Sequence, residues 1–205
     1  MSLDTISLRP ESPWSEASIN ALKGVQYVMG WDETGTLDKS ETILEIDERM
    51  PEFAIKKISG IDEYLEFINS HDFTVFISMM DEASNRLQDS TKEKLKALGL
   101  QTEWTDRYRK PYIAVIDKNI VVEELAAETA TGAPLKADGA VGNITYHIIS
   151  ASPENDGGWN GSIVLNDREC SKNSRGLNIV VVKDGRVIDS AVFDTYADGN
   201  AKARR

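Results

Sequence analysis

The stretch RGLNIVVVKDGRVIDSAVFDTYADG, residues 175–199, carries the strongest structural signal in the sequence. Two runs rich in β-branched residues flank Asp184-Gly185, a dipeptide typical of two-residue hairpin turns. The stretch therefore predicts a β-hairpin that ends in a corner built around Phe193-Asp194. Only six residues follow Gly199, so the element that should pack on this hairpin is expected elsewhere in the chain.

Composition and charge exclude several classes of function. The chain has 205 residues, of which 40% are hydrophobic, and a formal net charge of −11. This acidity disfavours binding to nucleic acid, because Lys and Arg side chains would have to neutralise phosphates. No run approaches the roughly 18 apolar residues of a membrane-spanning helix, so no membrane insertion is expected. The first residues lack the pattern of a signal peptide.

The sequence shows few residues in arrangements typical of nucleophilic or acid–base catalysis. Cys170 is the only cysteine, so no intramolecular disulfide is possible, and neither His71 nor His147 stands in a motif with a Ser or Cys partner. The adjacent carboxylates Asp81-Glu82 and Glu123-Glu124 are interpreted as exposed surface pairs. We therefore expect no enzyme and no cofactor.

An acidic stretch, WDETGTLDKS at residues 31–40, invites a comparison with calcium-binding loops. The spacing does not fit, because Leu37 stands where such a loop needs Gly and Ile43 stands where it needs the closing Glu. No metal site is predicted.

The first half of the chain predicts mainly helices. Ser12 and Ser90 are the expected N-caps of two of them, and Pro51 is expected to break a pair of strands. The predicted elements are a helix over 14–29, strand–break–strand over 41–59, a helix over 60–71, a buried strand over 72–80, a helix over 90–100, and strands at 112–117 and 119–125.

The second half predicts strands. Residues 123–142 are small, contain Gly and lack aromatics, so they are interpreted as a linker. Strands are predicted within 144–152 and 161–167, followed by the hairpin of residues 175–199. Helices early and strands late indicate an α+β protein.

The hairpin resembles the signature of the ILEI/PANDER domain, the interleukin-like inducer family. In that pattern Arg-Gly, an apolar residue and Asn lead into a Val-rich strand, and a Gly turn and a second strand lead to Phe-Asp-Thr-Tyr. The matching positions are Arg175, Gly176, Asn178, Gly185, Phe193, Asp194 and Tyr196.

In the family, a helix, a buried strand ending near an Asp and a helix ending in Leu-Gly follow this signature. The present chain has a similar series about 110 residues upstream, over 61–122, so the two halves stand in reversed order. Secreted members carry paired cysteines, which this chain lacks. The upstream landmarks are Asp81, Ala83, Leu87, Leu98, Gly99 and Arg109.

Two arrangements explain the reversed order. In one, the domain is circularly permuted, and the linker over 123–142 lets the two halves meet within one chain. In the other, the first half of one chain completes the second half of another, as in domain swapping. We favour permutation, which predicts that strand 73–79 shares a domain with strand 177–183 and that helix 61–69 packs near the 193–199 corner.

The resemblance implies a two-sheet β fold lined by short helices, with a polar cavity. It also implies a non-catalytic recognition module that binds carbohydrate, placed on a virion or a cell surface. The alternative is a structural subunit of a larger assembly, such as a phage tail or baseplate, in which the domain makes only protein contacts.

A sugar site needs an aromatic face for the C–H groups of the ring and planar polar groups for its hydroxyls. Each candidate also has a structural interpretation: the Trp as a loop anchor, the Tyr as a lid on the core, the Asp as a cap of the corner and the arginines as ion-pair partners. The candidate ligand-binding residues are Trp159, Asn160, Asp194, Tyr196, Arg109 and Arg175.

Residues 1–50 lie outside the resemblance and are expected to form a helical docking segment, with residues 51–205 as the permuted domain. The apolar stripe from Trp14 to Met29 is expected to contact a protein partner or a second copy, because such patches usually mark interfaces. The alternative is that it packs on its own domain.

Overall fold

The computed structural model describes residues 25–28, 43–46 and 50–205. The chain divides into two compact units, Met1–Phe53 and Ala54–Arg205. The described part is mostly β, with antiparallel sheets of two, five and four strands and three short helices. The elements are β1 (Val25–Val28), β2 (Ile43–Ile46), α1 (Pro51–Lys57), α2 (Ile61–Asn69), β3 (Thr74–Met80), α3 (Asp89–Ala97), β4 (Tyr112–Asp117), β5 (Ile120–Ala126), β6 (Leu135–Val141), β7 (Ile144–Ser150), β8 (Ile163–Leu165), β9 (Arg168–Glu169), β10 (Gly176–Lys183) and β11 (Arg186–Phe193).

The predicted N-terminal helix is wrong at its C-terminal end. Val25–Val28 forms a strand that pairs antiparallel with Ile43–Ile46. Valine is β-branched, and such residues favour extended backbone over a helix. The rest of the proposed docking segment, Trp14–Met29, and the acidic stretch 31–40 lie outside the described residues.

The strand predicted after Pro51 is also wrong, because Pro51–Lys57 is a helix. Proline is favoured in the first turn of a helix, where its missing N–H has no partner to lose. Glu52 in the first turn and Lys56 in the last complement the helix dipole, and Ile55 is the residue that the helix buries.

The five-stranded sheet, in the order β11-β10-β3-β4-β5, lies between two layers. Alternate residues of its three central strands enter two separate apolar clusters, one with α2 and α3 and one with the four-stranded sheet β6-β7-β8-β9. Ile77 faces the helices, for example, and Phe76 faces the second sheet. Both faces of these strands are buried, which explains their nearly continuous apolar runs.

The two halves of the chain meet inside one unit, as predicted. β3 pairs antiparallel with β10 over seven residues, from Gly176 opposite Met80 to Val182 opposite Thr74. The ring of Tyr64 on α2 lies 5.0 Å from that of Phe193 at the end of β11. The expected packing of helix 61–69 near the corner is therefore confirmed.

Helix α3 begins one residue before the predicted cap. Its N-cap is Gln88, whose side chain makes no capping hydrogen bond, so Ser90 lies inside the helix. The end was predicted correctly, since Gly99 adopts a φ of +89°, the left-handed conformation that terminates many helices.

The predicted linker over 123–142 is mostly sheet. β5 continues to Ala126 and β6 begins at Leu135, so only residues 127–134 connect them. β6 pairs with β7 along its whole length. Its small residues have a packing role, because a Cβ atom on Gly139 would lie 2.4 Å from the hydroxyl oxygen of Tyr146 on the paired strand.

The turn of the β10–β11 hairpin has the predicted conformation. Asp184 and Gly185 have φ angles of +50° and +74°, as expected for a two-residue turn with both central residues left-handed. The turn follows β10, the strand that contributes side chains to both apolar clusters.

Replacing Gly185 with valine is expected to lower the free energy of unfolding by about 1 to 3 kcal/mol, because a β-branched residue is strained at positive φ. Urea denaturation of the two proteins measures the difference. Gly185→Asn is the matched control, since Asn tolerates this conformation and should cost well under half as much. Equal midpoints for valine and parent would contradict the interpretation.

Candidate ligand-binding site

The site begins where β3 ends. Asp81 follows the last residue of the strand and adopts a φ of +60°, while its N–H donates to the carbonyl oxygen of Ala151 at 3.0 Å. Short polar side chains tolerate this left-handed conformation better than others. Asp81 and Glu82 are only 5% and 1% exposed, so their interpretation as an exposed surface pair is wrong.

Glu82 orders the loop that surrounds the site. One of its carboxylate oxygens accepts hydrogen bonds from the Ser84 hydroxyl at 2.7 Å and the Asn85 N–H at 2.8 Å. The other accepts the backbone N–H of Arg109 at 2.5 Å. Arg109, which itself has a φ of +55°, is thereby held beside the end of β3.

Arg109 lies between two carboxylates. Its Nε is 3.0 Å from Oδ1 of Asp81, and its Nη1 donates to Glu154. The distance to Asp81 defines an ion pair, yet neither Asp81 Oδ1 nor Arg109 Nε has an aligned hydrogen-bond partner. Both atoms are buried and lie against each other in this ion pair.

The electrostatics of Asp81 reflect burial more than pairing. Desolvation raises its pKa above the ordinary value for Asp, and the opposing attraction of Arg109 and then Arg175 does not cancel this. Glu154 behaves in the opposite way, since the hydrogen bond from Arg109 lowers its pKa. The cluster thus holds one carboxyl group that is costly to ionise.

A second arginine lies in the same cluster. Arg175 precedes β10, and its guanidinium holds the carboxylate of Asp194 through Nε at 3.1 Å and Nη2 at 2.8 Å. The guanidinium also lies over the ring of Tyr196, 4.9 Å from its centroid. Gly176 pairs with Met80, so Arg175 and Asp81 lie at the same end of the paired strands and the two arginine–carboxylate pairs are neighbours.

Other residues of the hairpin signature are structural. Asn178 is fully buried, donating from Nδ2 to the carbonyl oxygen of Ser174 at 2.7 Å and accepting that residue's N–H at 3.1 Å. The hydroxyl of Thr195 donates to the carbonyl oxygen of Ala83, joining the corner to the loop after β3. Both side chains therefore hold the loops at this end of the hairpin in place.

Trp159 and Asn160 lie at the same end of the molecule. Met80, Ala151 and Asn160 form successive β-bridges, and the N–H groups of Asp81 and Asn160 donate to the same carbonyl oxygen of Ala151, at 3.0 and 3.5 Å, so Asn160 lies beside the end of β3. Trp159 is 59% exposed and so is no buried anchor. The side-chain oxygen of Asn160 accepts the Ser162 N–H at 3.0 Å and is committed to its own loop.

Two further aromatic rings border the arginines. Tyr196 is 38% exposed, which does not suit a lid on the core, and Tyr108 is 50% exposed. The guanidinium of Arg109 lies 5.2 Å from the centroid of the Tyr108 ring. Each arginine of the cluster is therefore flanked by an exposed tyrosine.

The structure brings Arg109, Arg175, Asp194 and Tyr196 together, as the sequence analysis suggested, and adds residues that it missed. Asp81 could have been found, because it follows a buried strand directly and matches a landmark of the resemblance. Glu154 and Tyr108 gave no signal, since each comes from a polar loop whose position only the fold defines. We call Asp81, Arg109, Glu154, Arg175 and Asp194, with the rings of Tyr108 and Tyr196, the arginine cluster.

In the described part of the chain, no three His, Cys, Asp or Glu side chains converge so as to hold a metal ion. No helix there has the length and apolar character needed to cross a membrane. The chain matches no protein-family model, no curated protein and no solved structure.

Proposed function

We propose that the protein is a non-catalytic recognition module that binds carbohydrate at the arginine cluster. The observation that carries the proposal is that each ion-paired arginine of the cluster lies against an exposed aromatic ring, Arg109 against Tyr108 and Arg175 against Tyr196. The partly exposed arginine–carboxylate pairs offer N–H donors and carboxylate lone pairs to the hydroxyl groups of a sugar.

The surroundings suit a sugar better than a purely charged ligand. The arginines of the cluster are already paired with Asp81, Glu154 and Asp194, so the net charge left for an anion is small. Neutral hydroxyl groups can use the remaining lone pairs and N–H groups without competing for the ion pairs. Tyr108, Tyr196 and Trp159 offer apolar ring faces for the C–H groups of a pyranose.

The resemblance to the ILEI/PANDER domain supports the same proposal. Arg109, Arg175, Asp194 and Tyr196 belong both to the matched positions and to the arginine cluster. That the two halves pair within one chain supports circular permutation of such a domain.

A glycan array on the purified protein, followed by titration calorimetry with the best ligand, tests the proposal. Arg109→Gln is expected to weaken binding about 10- to 100-fold, because it removes charge-assisted hydrogen bonds at the centre of the site. Arg86→Gln is the matched control, since Arg86 bonds only to the carbonyl oxygen of Ala197, and its affinity should stay that of the parent.

The comparison needs a check on folding. Circular dichroism and the urea midpoint of Arg109→Gln should show a folded protein, and Asp81→Asn provides a second variant that keeps the shape of the side chain. An array without hits, or an affinity that neither variant changes, would contradict the proposal.

A second candidate function is the structural subunit of an assembly. Strand β5 is an edge of the five-stranded sheet, and Ile120 and Val122 on it are 69% and 48% exposed. Exposed apolar side chains on an edge strand favour contact with another chain. Light scattering of the same sample decides: a stable oligomer without glycan binding favours this function, and a glycan-binding monomer opposes it.

A further inference from the structure

A cavity lies away from the arginine cluster, beside the turn of the β10–β11 hairpin. Its volume is about 370 Å³, within the range of small-molecule sites. It is lined from both sheets, by Val182, Gly185, Arg186 and Val187 of the hairpin and by Ile144, Leu165, Asn166, Arg168 and Cys170 of the strands β7 to β9 and their turn.

The two arginines of this cavity differ from the others in the described part of the chain. Within residues 50–205, six arginines donate hydrogen bonds to carbonyl oxygens or pair with carboxylates: Arg86, Arg107, Arg109, Arg175, Arg204 and Arg205. Among the described residues, the guanidinium groups of Arg168 and Arg186 have no such partner, and both line this one cavity.

The lining is otherwise apolar or neutral. Leu165 and Val182 are buried members of the cluster between the two sheets, while Val187 is 45% exposed on the rim. No Asp or Glu side chain is among the described residues that line the cavity. In a chain of net charge −11, a cavity lined by two unpaired cations and no carboxylate selects for negative charge.

From this arrangement we infer that the cavity is a second binding site, for a small amphipathic carboxylate. The apolar body of the ligand lies against Leu165, Val182 and Val187, and its carboxylate lies between Arg168 and Arg186, where a guanidinium can hold two oxygens at once. The site shares no residue with the arginine cluster, so it does not depend on the proposed glycan binding.

Cys170 provides a specific test, because it lines the cavity and is the only cysteine of the chain. The rate of its alkylation by iodoacetamide is measured by mass spectrometry at rising concentrations of phenylbutyrate, and of phenylbutanol as the neutral probe with the same body. Phenylbutyrate is expected to slow alkylation in a saturable way, with an apparent affinity about three- to tenfold higher than that of phenylbutanol.

The arginines are tested with R168Q/R186Q, in which the preference for phenylbutyrate should disappear while phenylbutanol protects as before. Arg109→Gln is the control from the other site and should leave protection unchanged, and R168Q/R186Q should leave glycan binding unchanged. Methyl NMR shifts of Val182 and Val187 on adding phenylbutyrate report occupancy independently of the thiol. The inference would be overturned if phenylbutyrate caused neither NMR shifts nor protection of Cys170, or if the two probes gave equal shifts and protection. It would also be overturned if the preference for phenylbutyrate persisted in R168Q/R186Q.

Discussion

Replacing Gly176 with alanine is expected to lower the free energy of unfolding by about 3 to 5 kcal/mol, the largest effect of any single change proposed for this protein. Gly176 has a φ of +112°, a conformation that disfavours any residue with a Cβ atom. An added Cβ would also lie 2.1 Å from the carbonyl oxygen of Phe193. The neighbour is backbone, so no side chain can rotate away to relieve the contact.

Urea denaturation measures the effect, and Gly60→Ala is the control. Gly60 has a φ of −80°, and a Cβ there would meet nothing within 4 Å, so a change of about 1 kcal/mol or less is expected. If Gly176→Ala fails to accumulate as folded protein while Gly60→Ala does, the close approach is supported. A midpoint for Gly176→Ala equal to that of Gly60→Ala would contradict it.

The second large effect is expected at a buried carboxylate. Asp189 on β11 has a side chain only 4% exposed, and its oxygens are 3.0 and 3.1 Å from Nε of Arg205. The Tyr64 hydroxyl donates to the same carboxylate at 3.0 Å. Burial is the main reason that the pKa of Tyr64 lies well above its usual value, and the charge of Asp189 raises it further. The phenol therefore remains a hydrogen-bond donor.

Replacing Arg205 with methionine is expected to lower the free energy of unfolding by about 2 to 3 kcal/mol, because it leaves a buried carboxylate without its cation. Arg205 also donates to the carbonyl oxygens of Ile55 and Ile58, at 2.7 and 2.9 Å, which adds to the loss. Thermal and urea unfolding measure the change.

Arg204→Met is the matched control for this experiment. The side chain of Arg204 is 55% exposed and lies 3.8 Å from Asp194, and surface pairs of that kind contribute about 1 kcal/mol or less. Adding Asp189→Asn to Arg205→Met should restore more than half of the lost stability, because the unpaired charge is then gone. If Arg204→Met and Arg205→Met cost the same, the Asp189 pair is not the reason.

Local sequence pattern was sufficient to predict those elements in which the spacing of apolar residues identifies the buried side. The apolar runs of β3, β4 and β10 predicted strands, that of β3 a buried one, and the structure places these strands at the centre of the larger sheet. The stripe of Ile61, Leu65 and Ile68 predicted α2, whose buried residues include all three. Asp184-Gly185 predicted the turn, because few residues tolerate its backbone conformation.

Local sequence pattern failed to predict the segments whose conformation depends on tertiary contacts. β6 has the composition of a linker, and it is a strand because β7 offers a full set of backbone partners and Tyr146 fills the space above Gly139. Pro51 signals both a broken strand and a helix start. The choice between them depends on what the segment can bury, in this case Ile55.

Sequence pattern predicted the β-hairpin of residues 175–199 and the helix α2, and the family resemblance predicted that strand 73–79 shares a domain with this hairpin. It did not determine the site. Asp81, Arg109, Glu154 and Arg175 come from four different loops, and an ion pair between residues so far apart in sequence has no local signature. Only the packing of the two sheets brings these loops to one end of the molecule, where Asp81, Arg109 and Glu154 form ion pairs.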